Sequence, residues 1–413
     1  MKKIIGLLRN NPAYLAFTKG KSEIVVSHAS DEALLIASAF FASPKTMLVI
    51  KDNQYQASLL YQELKPLLKN NVLYFPSDES LRIEALAYSK EILGERIATL
   101  ASLCENKPYV IICHTQSFVR YIPNQNLFKE RTIHLHVGDI IDPLELRRKI
   151  IENGYTNIQR VDEPFYYSKR GGVIDVYSIQ YEHPVRIEFF DDEIESIRFY
   201  DKDNQRSLNS VKEVKLLPAT DMLYSADEVN DVINKIEELK ENSDCKDYLG
   251  ELEEEISIDI ESLKNHDYSP RMYQYMNLFT TSTTLLSYIH NPKIITSSHE
   301  SILSTYKQYV EETFFYAHEL QSLGKMVKGL SLYKEISALL KNISVNFVEF
   351  RTDDKQISFI TREVQLPLSN EQQLISHLKD YLVQNKVMIC LENKHQIQLM
   401  IELLHAKVLK KLF

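Results

Sequence analysis

Apolar segments and amphipathic segments alternate along the first 115 residues of the chain. Four short apolar segments, rich in β-branched residues, have the pattern of buried strands: 23–28, 45–51, 71–76 and 108–114. The segments between them carry apolar residues at helical spacing, and Asp31 stands near the cap position of the first predicted helix. This alternation predicts a parallel sheet that is covered by helices on both faces.

The pattern changes near residue 117. One short amphipathic helix is predicted within 142–155, and a series of short strand signals separated by turn residues follows it. Such a series predicts a small antiparallel α+β unit. Apolar strand signals at 283–290 and 293–298 predict that the chain then returns to the first sheet. We therefore expect an inserted unit, 117–211, within a discontinuous domain made of residues 1–116 and 212–325.

A further pattern of strands and helices begins near residue 328, with strand signals at 345–351, 355–361 and 386–393 and a helix at 370–384. We expect residues 326–413 to form a small α/β domain. Because the sequence stops inside a helical run at Phe413, we expect that domain to be truncated.

Composition narrows the class of protein. The 413 residues are 44% hydrophobic and 25% charged, which is typical of soluble globular proteins. No apolar run approaches the roughly 18–20 residues that a membrane-spanning helix needs, so no membrane partner is expected. The four cysteines are far apart and form no CxxC pair. This excludes a disulfide framework and favours a location in the reducing cytoplasm.

The net charge of −9 hides an uneven distribution. Residues 221–261 contain 15 acidic and 3 basic side chains, a net charge of −12, whereas the rest of the chain sums to +3. The acidic segment carries apolar residues at helical spacing, and this pattern favours solvated helices over a protein surface that mimics DNA. A chain with this balance is not a basic nucleic-acid binder overall.

Two fragments imitate the motifs of nucleotide-binding proteins. Gly20-Lys21-Ser22 has the ending of a phosphate-binding P-loop, but the first glycine of that motif is replaced by Leu15, and a strand follows where a helix is required. A P-loop would belong after the first strand. There the chain has no glycine and no lysine, and its acid would repel phosphates: Ser27, His28, Ala29, Ser30 and Asp31. We expect a degenerate P-loop that does not bind ATP.

Other candidate motifs are better explained by structure. Residues 31–34 resemble a metal-coordinating DExx box, yet they open the first helix, where acidic residues cap the backbone and complement the helix dipole. His134 and His136 share one face of a predicted strand without a third ligand at suitable spacing. We therefore expect no metal site and no catalytic residue.

The most informative stretch is 165–206. Gly171-Gly172 is a doublet in a chain with only ten glycines, which predicts a bulge or sharp bend. In the strand that follows, alternation places three apolar residues inward (Val185, Ile187, Phe189) and three residues outward (Arg186, Glu188, Phe190). An exposed phenylalanine beside an arginine is favoured at protein interfaces. The alternative is a surface salt bridge with Phe190 covered by a loop.

This stretch carries a family resemblance. YSKRGGVIDVYS (167–178) and HPVRIEFFDDEIESIRFYDKDNQRS (183–207) closely resemble the signature of the bacterial transcription-repair coupling factors (Mfd), of which the repair helicase UvrB has a looser version. YSKEILGERIATL (88–100) is similar to a helix of the family's first domain. The order of predicted elements agrees with that of the family up to about residue 325. The closing segment, from about residue 326, is similar to the family's next domain but carries no sharp motif.

The resemblance implies a fold and a role. The implied fold is an α/β, helicase-like parallel-sheet domain with a degenerate P-loop, an inserted antiparallel α+β domain and a further small α/β domain. The family docks the damage sensor UvrA on the inserted domain, through positions that correspond to Arg170, Arg186 and Phe190. The implied role is therefore to recruit UvrA, on a surface masked by intramolecular contacts in the resting full-length protein.

RNA polymerase, DNA, ATP and Mg²⁺ are implied only for motor and polymerase-binding domains beyond residue 413, so this chain is expected to be non-catalytic and without a cofactor. We expect substitutions of Arg186 and Phe190 to weaken UvrA binding and to leave the melting temperature nearly unchanged.

Two other classes of function compete with this interpretation. A divergent ATPase or helicase would use residues 20–22 or 31–34, which lack the order and spacing that phosphate and Mg²⁺ require. A UvrB-like DNA-binding module would need a basic face with stacking aromatic residues. Residues 118–210 contain 13 basic and 16 acidic side chains, which argues against tight DNA binding by the inserted unit alone.

Overall fold

The computed structural model describes residues 5–407 apart from 7, 9, 21–22, 78–88, 244–247, 342–346, 352–356, 360, 362–369, 385–386, 388, 390 and 392. The chain divides into two compact units, residues 1–360 and residues 361–413. The second unit contains two described helices, Glu371–Gln384 and Lys394–Lys407. The strand expected at 386–393 falls largely outside the described residues.

The strands of the first unit are numbered in chain order. They are β1 (Glu23–Val26), β2 (Met47–Lys51), β3 (Val72–Phe75), β4 (Val110–His114), β5 (Ile122–Pro123), β6 (Ile133–His136), β7 (Thr156–Asn157), β8 (Tyr166–Arg170), β9 (Val173–Val176), β10 (Val185–Phe190), β11 (Glu193–Tyr200), β12 (Ser207–Val211), β13 (Glu213–Leu216), β14 (Ser282–Thr283), β15 (Lys293–Thr296), β16 (Phe347–Arg351) and β17 (Ser358–Phe359).

The α-helices of the first unit are α1 (Pro12–Thr18), α2 (Ala29–Ala42), α3 (Gln54–Leu68), α4 (Lys90–Leu103), α5 (Thr115–Val119), α6 (Gln125–Glu130), α7 (Pro143–Glu152), α8 (Val229–Glu241), α9 (Leu249–Asn265), α10 (His299–Ser322) and α11 (Ile336–Lys341). Single 3₁₀ segments cover Lys69–Asn71, Ala226–Glu228, Pro270–Leu278 and Leu285–Tyr288. No described helix has the length and apolar character that a membrane-spanning helix needs.

A seven-stranded parallel sheet forms the centre of the first unit, in the order β17-β1-β16-β15-β2-β4-β3. Successive residues of β2 point to opposite faces, so Leu48 joins one hydrophobic core and Val49 joins another. Burial on both faces is the reason that these strands read as continuous apolar runs. The predicted mixed α/β architecture with a parallel sheet is therefore present.

Of the two strands expected to return to the first sheet, one needs correction. Residues 283–290 do not form a strand of the parallel sheet: Ser282–Thr283 pairs with β5, and Leu285–Tyr288 is a 3₁₀ segment. By contrast, β15 pairs with β2 in parallel, as the signal at 293–298 suggested.

The boundary at residue 326 also differs from the structure. β16 lies between β1 and β15, and β17 pairs with the other edge of β1. Both strands complete the backbone hydrogen bonding of β1, whose unpaired edges would otherwise be exposed. The structure therefore divides the chain after residue 360 and not at 326.

A second, six-stranded sheet has the order β12-β11-β10-β9-β8-β7 and is antiparallel except for the short parallel pair of β7 and β8. Residues 207–216 are divided between two sheets, because β12 pairs with β11 whereas β13 pairs with β6. This sheet carries the stretch that the sequence analysis singled out.

A buried ion cluster joins the helices of the parallel sheet to the segment after β13. Asp221 accepts hydrogen bonds from Nε of Arg96 at 2.7 Å and Nε of Arg120 at 3.3 Å, and all three residues are at most 5% exposed. The guanidinium of Arg120 also lies 4.1 Å from the centre of the Tyr273 ring. Each charge is thus compensated inside the core, as buried charges require.

The acidic segment forms two helices, α8 and α9. Val229, Val232 and Ile236 of α8 are buried, which confirms the predicted apolar side, while several of its acidic residues are exposed.

Candidate functional site

Two tight hairpins form one end of the six-stranded sheet. Arg170 pairs with Val173 across the turn Gly171-Gly172, and Gly171 has φ +56, a left-handed conformation that glycine adopts without strain. The doublet therefore makes a sharp bend, one of the two features that the sequence predicted. A Cβ atom on Gly172 would lie 3.1 Å from the carbonyl oxygen of Phe189, so a side chain there would crowd the neighbouring hairpin.

The register of the strands places the three predicted contact residues on one face. Arg170 shares a cross-strand row with Val173 and Glu188. Arg186 lies two residues along β10 from Glu188, opposite Asp175, in the next row that faces the same side. Phe190 follows Glu188 on the same face of β10, beyond a bulge at Glu188/Phe189. We call this surface, defined by Arg170, Asp175, Arg186, Glu188 and Phe190, the outer face.

The opposite face of the sheet is apolar. Val185, Ile187, Ile194 and Ile197 are at most 1% exposed and belong to the main hydrophobic core. The alternation of buried and outward residues along β10 is therefore the one that its sequence predicts.

Arg186 is already engaged within the sheet. Its Nε and Nη2 atoms donate to the two carboxylate oxygens of Asp175 at 2.7 and 2.8 Å, and its guanidinium lies 4.6 Å from the centre of the Tyr200 ring. The hydrogen bond to Asp175 raises the pKa of Arg186 above its ordinary value. A guanidinium has five N–H donors, of which this bidentate pair uses two. Arg186 is thus held in one orientation on the outer face.

Glu188 also has partners within the sheet: it pairs with Arg198 and accepts a hydrogen bond from Oγ of Ser196 at 2.7 Å. Phe190 differs from both, because its side chain is 69% exposed at the tip of the β10–β11 hairpin. Arg170 is exposed at the end of β8. The outer face therefore combines the two features that the sequence presented as alternatives: a salt bridge at Arg186 and an uncovered aromatic ring.

Residues 27–31, where the sequence predicts a degenerate P-loop, lie at the carboxyl edge of the parallel sheet. β1 ends at Val26, and the backbone N–H groups of Ser27 and His28 donate to Oδ2 of Asp31 at 3.1 and 3.2 Å. Asp31 is fully buried in the first turn of α2, in the capping role that the sequence suggested. In a P-loop, N–H groups at this place face the phosphates. Here a carboxylate of the loop itself accepts from them.

A cavity of about 590 Å³ lies beside this loop, where a parallel sheet of this kind holds its ligands. Its wall includes Lys51, at the end of β2, whose Nζ donates to both carboxylate oxygens of Glu32 at 2.9 and 2.8 Å. Ser297 and Ser298 follow β15, which pairs with β2, and they line the same cavity together with Asp52 and Glu300. Polar residues placed directly after apolar strands could have identified Lys51, Ser297 and Ser298 from the sequence.

The remaining candidate motifs do not converge on a site. Gly20 precedes β1, so a strand does follow the first fragment, while Lys21 and Ser22 fall outside the described residues. His136 on β6 pairs with Asp139 at 3.4 Å and with Glu213 at 3.3 Å. Among the residues that the structure describes, no group of three His, Cys, Asp or Glu side chains is arranged to hold a metal ion.

The region that contains the six-stranded sheet matches a known protein family. Residues 133–222 match the model of the UvrB interaction domain family, and this range contains the whole outer face. A transcription-repair-coupling factor of Staphylococcus haemolyticus is 27% identical over 79% of this chain, and one of Staphylococcus aureus (strain NCTC 8325) is 25% identical over 95%. The resemblance to the transcription-repair-coupling factors is therefore confirmed.

The coupling-factor relatives are much longer than this chain. The matched region covers 29% of the Staphylococcus haemolyticus coupling factor and 35% of the Staphylococcus aureus one. The coupling factor of Bacillus subtilis (strain 168) is 29% identical over 53% of this chain and 19% of its own length. The chain thus spans about a third or less of the curated coupling factors that it matches.

Proposed function

We propose that this chain is the N-terminal, UvrA-docking and regulatory part of a transcription-repair coupling factor. The observation that carries the proposal is the outer face within the matched UvrB interaction domain, where Phe190 is exposed beside Arg170 and a pre-oriented Arg186. An exposed aromatic ring with flanking arginines is the composition of an interface centre. Its complement on the partner is an apolar pocket rimmed by carboxylates, because a guanidinium binds a carboxylate bidentately.

In this proposal the chain recruits UvrA to nucleotide excision repair, and other parts of the full-length protein engage stalled RNA polymerase and DNA. Those parts supply the ATP-driven translocation. Intramolecular contacts with them mask the outer face until repair begins.

The proposal is tested by isothermal titration calorimetry, in which this chain is titrated with UvrA. Phe190→Ala and Arg170→Ala are each expected to weaken UvrA binding about tenfold or more, since a well-buried interface anchor contributes at least roughly 1.4 kcal/mol. Both side chains are exposed, so the melting temperature should change little.

Leu208→Ala and Arg206→Ala are matched controls, because both residues are exposed on the same sheet region, toward the opposite end of β11 from Phe190. Their UvrA affinity should equal that of the unchanged chain. If the Phe190 and Arg170 variants bind UvrA as tightly as the unchanged chain does, the docking site lies elsewhere on the molecule.

We also propose that the chain does not bind or hydrolyse ATP. Asp31 supports this proposal, since its carboxylate takes the backbone donors that phosphate would need and repels an anion placed there. Calorimetry with Mg-ATP at millimolar concentration is expected to show no binding. A micromolar Kd that Lys21→Ala abolishes would contradict the proposal.

A further inference from the structure

A second exposed apolar side chain lies in the same row as Phe190, on the loop between β6 and α7. Ile140, in the loop after β6, forms an antiparallel bridge with Glu193 at the start of β11. Glu193 pairs on its other side with Phe190 of β10. Side chains of directly paired residues lie on the same face of an antiparallel sheet. Ile140, Glu193 and Phe190 therefore form one continuous row on the outer face.

The loop that carries Ile140 is held in place by its backbone. The N–H of Gly138 donates to the carbonyl of Ile194 at 2.8 Å, and the N–H of Ile194 donates to the carbonyl of Asp139 at 2.9 Å. The Asp139 carboxylate accepts from the N–H of His136 at 2.7 Å. Gly138 has φ +92, a conformation in which a side chain is strained. The position of Ile140 is thus set before any partner binds.

Both apolar members of the row are exposed. Ile140 is 74% exposed and Phe190 is 69% exposed, whereas the neighbouring Ile141 packs against the hydrophobic core. Glu193, between the two apolar side chains, is exposed as well. Two large apolar side chains that are both exposed in one row of a sheet form an apolar patch, and such patches mark interaction sites.

We propose that Ile140 and Phe190 dock together on UvrA, in an apolar groove that carries a basic side chain opposite Glu193. The inference rests on the proposed function, because the row is continuous with the docking face that contains Arg170 and Arg186. A groove that accepts both side chains excludes water around Glu193, which strengthens the ion pair formed there. The loop after β6 is then a part of the UvrA interface that supplies apolar contact and orientation.

Calorimetric titration with UvrA tests this proposal. Ile140→Ala is expected to weaken binding about three- to tenfold, the loss expected when one to two of the three removed carbon groups are buried in the complex. Ile140→Asp should weaken it more than tenfold, because it would place a carboxylate in the part of the groove that accepts an apolar side chain. Ile258→Ala is the matched control: Ile258 is an exposed isoleucine of α9, 53% exposed and outside the six-stranded sheet.

The outcomes separate the inference from the proposed function. If Phe190→Ala weakens binding and both Ile140 variants bind like the unchanged chain, the inference is overturned and the proposed function stands. If the unchanged chain does not bind UvrA, the proposed function and the inference both fail. If Ile140→Ala lowers the melting temperature, Ile140→Thr is used in its place, because threonine keeps the β-branched shape. A UvrA affinity of Ile140→Thr equal to that of the unchanged chain then overturns the inference.

Discussion

Replacing Asp221 by alanine is expected to lower the free energy of unfolding by about 3–5 kcal/mol, because it removes the buried carboxylate that pairs with both guanidinium groups. Arg96 is 1% exposed and Arg120 is 5% exposed, so water cannot replace the lost carboxylate. Urea denaturation followed by circular dichroism measures the effect. Asp203→Ala, on an exposed turn, is the control and should change stability by less than about 0.5 kcal/mol.

The same carboxylate has a defined pH dependence. Burial alone would raise the pKa of Asp221, but the charges of Arg96 and Arg120 hold it below its ordinary value. A carboxyl group whose pKa is lowered by folding stabilises the protein above its unfolded pKa, and this contribution is lost as the pH falls through the folded pKa. The stability difference between the unchanged chain and Asp221→Ala should therefore stay constant above about pH 5 and shrink below about pH 4. A difference under about 1 kcal/mol at neutral pH would contradict the role assigned to the cluster.

Arg186→Ala is expected to reduce both UvrA binding and stability, which corrects the expectation from sequence that only binding would change. The truncation leaves the Asp175 carboxylate, 8% exposed, without its bidentate partner, at a cost of about 1–3 kcal/mol. Loss of an arginine from the centre of an interface should weaken binding by about 2–5 kcal/mol, which is more than tenfold.

Measurements on folded protein separate the two effects. Melting temperatures report stability, and calorimetry well below the melting temperature reports UvrA affinity. Asp175→Ala is the informative companion, because it removes the same ion pair while keeping the guanidinium. We expect it to match Arg186→Ala in lost stability and to lose less affinity. Equal UvrA affinity in the unchanged chain and in Arg186→Ala would exclude this arginine from the interface.

Local patterns in the sequence determined which side of each element is buried. The alternation along 185–190 places Ile187 inside and Phe190 outside in the structure, because the period of a strand leaves no other choice once one face meets the core. The apolar spacing of α8 and the capping by Asp31 are likewise local, since they depend on residues within about one helical turn. These features needed no knowledge of distant segments.

Only the tertiary structure decided which distant residues meet. The pairing of Arg186 with Asp175 depends on the register of two hairpins, and the row of Ile140, Glu193 and Phe190 depends on a loop that crosses the end of β11. The place of β16 in the parallel sheet depends on β15 and on β1, a strand more than 300 residues earlier in the chain. The physical reason is common to all three: backbone hydrogen bonding between strands is nearly independent of side chains, so a strand's own sequence specifies its buried face but not its neighbour.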